Sequence, residues 1–103
     1  MFETEEQKER IILVAVATAD GDDTEQSLDE LEELGQTAGA VTVAKVIQNR
    51  EKVHAGTYVG KGKIEEIKNL AISLDADAVV CDDELSPAQY HNLQDALEIK
   101  VID

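Results

Sequence analysis

Ile11-Ile12-Leu13-Val14-Ala15-Val16 is an unbroken apolar run in which four of the six residues are β-branched. A strand with one wet face alternates polar and apolar residues, whereas a strand buried on both faces reads as a continuous apolar run. The stretch therefore predicts an interior strand of a mainly parallel sheet. Downstream, Asp20-Gly21-Asp22-Asp23-Thr24 supplies a turn with helix-capping residues, and Leu28, Leu31, Leu34 and Ala38 recur at helical spacing until Gly39 stops the pattern. Val41 to Gln48 mixes β-branched residues with Lys45, as an edge strand does.

The rest of the chain repeats the alternation. Asn49 to Lys61 has no sustained period and reads as an irregular loop, a length of connection that is often functional. From Gly62 the helical spacing returns through Ile64, Ile67, Leu70, Ala71 and Leu74, and Ala78-Val79-Val80-Cys81 reads as a third, buried strand. Ser86-Pro87-Ala88-Gln89 combines a Ser cap, a Pro at the first helical position and a Gln three residues after the cap. A third helix follows, with Leu93, Ala96 and Leu97 inward, and Ile99 to Ile102 forms a short last strand. The order β-α-β-α-β-α-β with right-handed crossovers predicts an open α/β fold: a mainly parallel four-stranded sheet, strand order 2-1-3-4, with helices on both faces. The topological switch then lies between the first and third strands, in a crevice lined by Ala17 to Asp23 and Cys81 to Leu85.

Composition narrows the function classes. The 103 residues suffice for one domain, taken as residues 10–103 behind an acidic segment over residues 1–9. The longest apolar stretch is far too short to cross a bilayer, and the acidic start lacks the basic opening of a signal peptide, so a cytoplasmic protein without a membrane span is expected. Cys81 is the sole cysteine, which excludes an intrachain disulfide and a Cys-based zinc site. A net charge of −14 repels polyanions, yet the charge is unevenly spread. Twelve acids face two bases between Met1 and Gly35, whereas six bases face three acids between Lys45 and Lys68.

Three constellations bear on chemistry. Gly60-Lys61-Gly62-Lys63 at a helix start has the makings of a phosphate cradle, since glycine lets backbone N–H groups approach an anion and the lysines add charge. It is not a P-loop: the spacing GxxxxGK followed by Ser or Thr is absent, and Ile64 stands where the magnesium-binding hydroxyl would be. A plain loop-to-helix turn with solvated lysines fits the same residues. Asp82 and Asp83, with Asp20, Asp22 and Asp23 nearby in the topology, could form an acidic magnesium pocket, or could cap the third helix together with Ser86. Cys81 reads as an inert core thiol, and His54 and His91 as surface residues, since no catalytic triad spacing accompanies them.

The ordered set Gln48-x-Arg50, Tyr58-Val59-Gly60-Lys61-Gly62-Lys63, Asp82-Asp83-Glu84-Leu85-Ser86-Pro87-Ala88-Gln89, Asn92-Leu93 and Val101-Ile102-Asp103 resembles the N-terminal domain of HflX-type GTPases, over essentially the whole chain from Arg10 onward. The resemblance implies a fragment of a longer multidomain protein, continuing into a helical pair and a P-loop G domain. It implies binding to the large ribosomal subunit, through ribosomal RNA or protein, coupled to GTP hydrolysis that in several members splits stalled or idle ribosomes. GTP and magnesium would belong to the G domain, so no catalytic residue, metal or cofactor is expected in these 103 residues. The candidate ribosome-binding residues are Gln48, Arg50, Lys52, Tyr58, Gly60, Lys61, Gly62 and Lys63, with Arg50 pairing to a phosphate and Tyr58 stacking on an unpaired base. The alternatives are a receiver-like, magnesium-dependent phosphoryl-transfer domain using Asp82 and Asp83, and a regulator that binds nucleotide phosphates on the Gly60 to Lys63 turn.

Overall fold

The computed structural model describes residues 8–18 and 23–103. Its elements follow the expected alternation: β1 (Glu9–Ala17), α1 (Thr24–Thr37), β2 (Ala40–Asn49), α2 (Lys61–Leu74), β3 (Ala78–Cys81), α3 (Pro87–Leu97) and β4 (Lys100–Ile102). All pairings are parallel and the strand order is β2-β1-β3-β4. The apolar run of β1 lies between β2 and β3, and Ile11 to Val16 are all buried, as an interior parallel strand requires. Asp20 and Asp22 of the expected acidic pocket, part of the β1 side of the crevice, and most of the acidic N-terminal segment lie outside the described residues.

The period of two along β1 divides the core. Ile12, Val14 and Val16 join Val46, Val79, Cys81 and Val101 beneath α2 and α3, where Ile67, Leu93 and Leu97 close the layer. Ile11, Leu13 and Ala15 point the other way, toward Leu28 of α1. Right-handed crossovers explain the split: the chain steps outward from β1 to β2 over one face and returns to β3 and β4 over the other.

One helix departs from the sequence reading. Leu34, counted with the apolar stripe of α1, is 67% exposed, and Ala38 is also exposed. Each helical residue turns about 100°, so Leu34 sits roughly 120° around the axis from Leu28, while Gly35 returns to nearly the same direction. A Cβ on Gly35 would stand 3.3 Å from Ile11 Cδ1, so its absence lets α1 approach β1 closely. The other side of α1 is held to β2 by Lys45, whose Nζ lies 2.9 Å from Asp29 and 2.6 Å from Glu32. These two partners, Glu32 before Asp29, push the Lys45 ammonium up to about 12.

Candidate functional site

The candidate residues gather where the carboxyl end of β2 passes into α2, and the loop between them is more ordered than its sequence suggests. The β1–β2 ladder runs one bond past the strand, from Arg50 N–H to the Ala17 carbonyl at 3.0 Å. His54 and Tyr58 then exchange backbone hydrogen bonds of 3.2 and 2.9 Å around a tight turn. Inside the turn, His54 Nδ1 accepts from the N–H groups of Gly56 and Thr57 at 3.1 and 3.2 Å, so this imidazole braces the loop.

Tyr58 leaves the turn with a φ of 70°, a left-handed conformation that is uncommon for a bulky residue. The backbone twist drives its ring into the core, where it is 1% exposed, and its hydroxyl donates to Asp83 Oδ2 at 2.7 Å. Burial, reinforced by the neighbouring carboxylate, raises the Tyr58 hydroxyl above its ordinary range. The expected stacking of Tyr58 on an unpaired base is therefore corrected: the ring faces the hydrophobic core and offers no surface to a base.

The next residues lock the start of α2. Gly60 N–H donates to Gln48 Oε1 at 2.8 Å, and a Cβ on Gly60 would meet Arg50 Nη1 at 2.8 Å. The absent Cβ leaves room for the end of the Arg50 side chain beside Gly60, while Arg50 Nε donates to the Lys52 carbonyl at 3.1 Å. Gln48 thus holds Gly60, with Arg50 turned back onto the loop at Lys52, an arrangement their spacing does not reveal. Lys52, Lys61 and Gly62 are exposed, whereas Lys63 is drawn to Glu66 at 2.9 Å. The first turn of α2 has no side-chain cap and no acidic residue. Among the described residues, no ion pair involves Arg50, Lys52 or Lys61.

The acidic segment after β3 also differs from the expected cap. Ser86 Oγ accepts from Gln89 N–H at 3.1 Å, and Gln89 Oε1 accepts from Ser86 N–H at 2.9 Å, the reciprocal capping box. Asp82 and Asp83 take no part in it. Asp82 extends the β1–β3 ladder through its N–H to Val14, and Asp83 is turned toward Tyr58. Among the described residues, no group of three or more His, Cys, Asp or Glu side chains converges as a metal set. Cys81 is buried, and burial pushes its thiol up to about 12, the state of an unreactive core cysteine.

Three tethers had no separate signal in the sequence. Gln89 Nε2 donates to the His54 carbonyl at 2.9 Å, and Asn92 Nδ2 donates to the Gly56 carbonyl at 2.9 Å, so α3 clamps the loop. Asp103 Oδ2 accepts from Leu85 N–H at 2.9 Å, joining the end of β4 to the acidic segment. The Gln89 and Asn92 contacts span 35 and 36 residues, a separation that local spacing cannot reveal.

Comparison with known proteins places this geometry. Residues 25–103 match the family described as GTP-binding GTPase N-terminal. Over all 103 residues the chain is 64% identical to a GTPase HflX of Lacrimispora saccharolytica, 42% to one of Caldanaerobacter subterraneus and 34% to one of Escherichia coli. It spans 24% of the length of each of these relatives. A crystal structure of a mutation variant of SsGBP shares the fold, with a TM-score of 0.55 at 14% identity, over 88% of this chain and 28% of that one. No helix among the described residues is long and apolar enough to cross a membrane.

Proposed function

From a chain that belongs to the GTP-binding GTPase N-terminal family of HflX-type proteins, we propose the ribosome-docking module of such a GTPase. The basic start of α2, with the loop that leads into it, meets the large ribosomal subunit. The full-length protein then acts in the cytoplasm, separating stalled or idle ribosomes, with GTP and magnesium held in a G domain outside these 103 residues. One observation carries the placement. In a chain of net charge −14, the cap-free first turn of α2 brings exposed Lys61 and Gly62 beside Arg50 and Lys52 without an acidic residue in that turn.

Such a surface suits phosphate. Backbone N–H groups at a helix start point outward, the helix dipole adds partial positive charge, and lysines release counterions when they meet a nucleic-acid backbone. Contact here is to backbone phosphate and shape, because the Tyr58 ring is buried and the His54 imidazole braces the loop. Acid elsewhere disfavours wrong orientations, as like-charge contact does at other interfaces.

The test is Lys52→Glu with Lys61→Glu in the full-length protein, pelleted with purified large subunits across a salt series. Weaker binding is expected, with the slope of log affinity against log salt reduced by roughly 0.7 to 0.9 for each lost phosphate contact. GTP turnover of the free protein and the circular dichroism spectrum should stay unchanged. Subunit affinity equal to that of the parent at every salt concentration, with the fold intact, would refute the docking surface.

A further inference from the structure

Two residues of α3 are not the types that their places in the helix favour. Gln89 closes the capping box with Oε1, a role that glutamate fills equally well while also complementing the helix dipole. Asn92 stands exposed at the middle of α3, where alanine or glutamate would favour the helix more. The amide nitrogen of each explains the choice. Gln89 Nε2 donates to the His54 carbonyl and Asn92 Nδ2 to the Gly56 carbonyl, both at 2.9 Å. Neither a carboxylate nor a methyl group can donate in their place.

The two carbonyls sit on a turn that otherwise bonds within its own loop. His54 and Tyr58 pair backbone to backbone, and the Gly56 and Thr57 N–H groups meet His54 Nδ1. Among the described residues, only Gln89 and Asn92 reach residues 53–57 by hydrogen bond from outside the loop. Lys61 opens α2, which Ile67 anchors in the core, whereas exposed Lys52 lies two residues before the turn. Fixing the turn against α3 therefore fixes Lys52 relative to Lys61. A surface already held in its bound shape loses less conformational entropy on meeting a rigid partner.

We propose that Gln89 and Asn92 are positioning residues of the docking surface: they hold the turn, and with it Lys52, in the arrangement that meets backbone phosphate. The inference rests on the docking surface proposed above and names what sets its shape. In the full-length protein, Gln89→Glu keeps the capping oxygen and Asn92→Ala favours the helix, so the pair removes the two tethers alone. Ala88→Glu, at an exposed position of the same helical turn, adds the same charge with both tethers in place. In the free protein, amide exchange of the peptide over residues 54–58 should accelerate on the order of tenfold in the tether variant and keep the parent rate in Ala88→Glu. In the pelleting series, the tether variant should bind large subunits on the order of tenfold more weakly than Ala88→Glu at every salt concentration. That factor is equivalent to ~1.4 kcal/mol, the entropy of ordering about one residue's backbone. The slopes against log salt should match, because every cation is retained. A merely structural role would lower the melting temperature and leave subunit affinity alone. Unchanged exchange of residues 54–58 would overturn the inference. So would an affinity equal to that of Ala88→Glu while Lys52→Glu with Lys61→Glu binds more weakly, a result that leaves the docking surface standing. A reduced slope would also overturn it, since phosphate contacts rather than order would then be lost. If the lysine variant itself binds like its parent, the docking surface fails and this inference with it.

Discussion

Tyr58→Phe removes one oxygen atom, and with it the 2.7 Å hydrogen bond that crosses from the loop to Asp83. A hydrogen bond to a charged acceptor contributes about 1.5 to 3 kcal/mol. Asp83 is exposed, so its carboxylate rehydrates when the phenol is lost and no buried charge is orphaned. The expected cost is therefore at the lower end, about 1.5 kcal/mol, with the ring's burial unaltered. Urea unfolding followed by far-ultraviolet circular dichroism should show the midpoint falling by roughly 1 M at an ordinary slope for a small protein. The decisive measurement is a double-mutant cycle with Asp83→Ala. If the two groups stabilise each other, the double variant loses less than the sum of the single losses, by about 1 kcal/mol. Losses additive to within ~0.3 kcal/mol would mean that the bond contributes nothing and that Asp83 has another role.

Ser86→Ala removes the capping oxygen and leaves the Gln89 backbone N–H without its acceptor, so stability should fall by about 1 kcal/mol in the same assay. Alkaline stability should follow Cys81 and Tyr58, whose folded values are both raised above the ordinary 9.0 and 10.0. The unfolded chain then loses these protons before the folded one, so their contribution is complete below about pH 9 and is lost as pH rises through the folded values. The slope should approach ~1.4 kcal/mol per pH unit for each group. Cys81→Ala should flatten the part between pH 9 and 10, and an unaltered decline there would exclude the thiol as its source. The 103-residue chain should bind GTP no more tightly than nonspecifically and show no turnover, since GxxxxGK followed by Ser or Thr is absent. A micromolar dissociation constant in a fluorescent-nucleotide titration would contradict this.

The interior strand, the parallel order 2-1-3-4 and the third helix with its capping box were legible because each rests on local patterns: an unbroken apolar run, the handedness of crossovers, and Ser86 three residues before Gln89. The same locality explains what the sequence left open. Arg50, Tyr58 and Gly60 stand out as residue types that meet a ligand, yet the tertiary structure turns the Tyr58 ring into the core, spends Gln48 on holding Gly60 and turns Arg50 onto the Lys52 carbonyl. Asp83 has the composition of a cap or a metal ligand. Its partner is a phenol 25 residues earlier, a choice made only when β3 comes to lie beside β1. Leu34 shows the angular form of the same limit: it belongs to an apolar series by spacing, but the direction in which α1 meets the sheet gives the inner place to Gly35 and leaves the leucine over an open groove. Periodicity specifies which elements form, whereas the partner of each polar group and the covered side of each helix are set by contacts between segments distant in the chain.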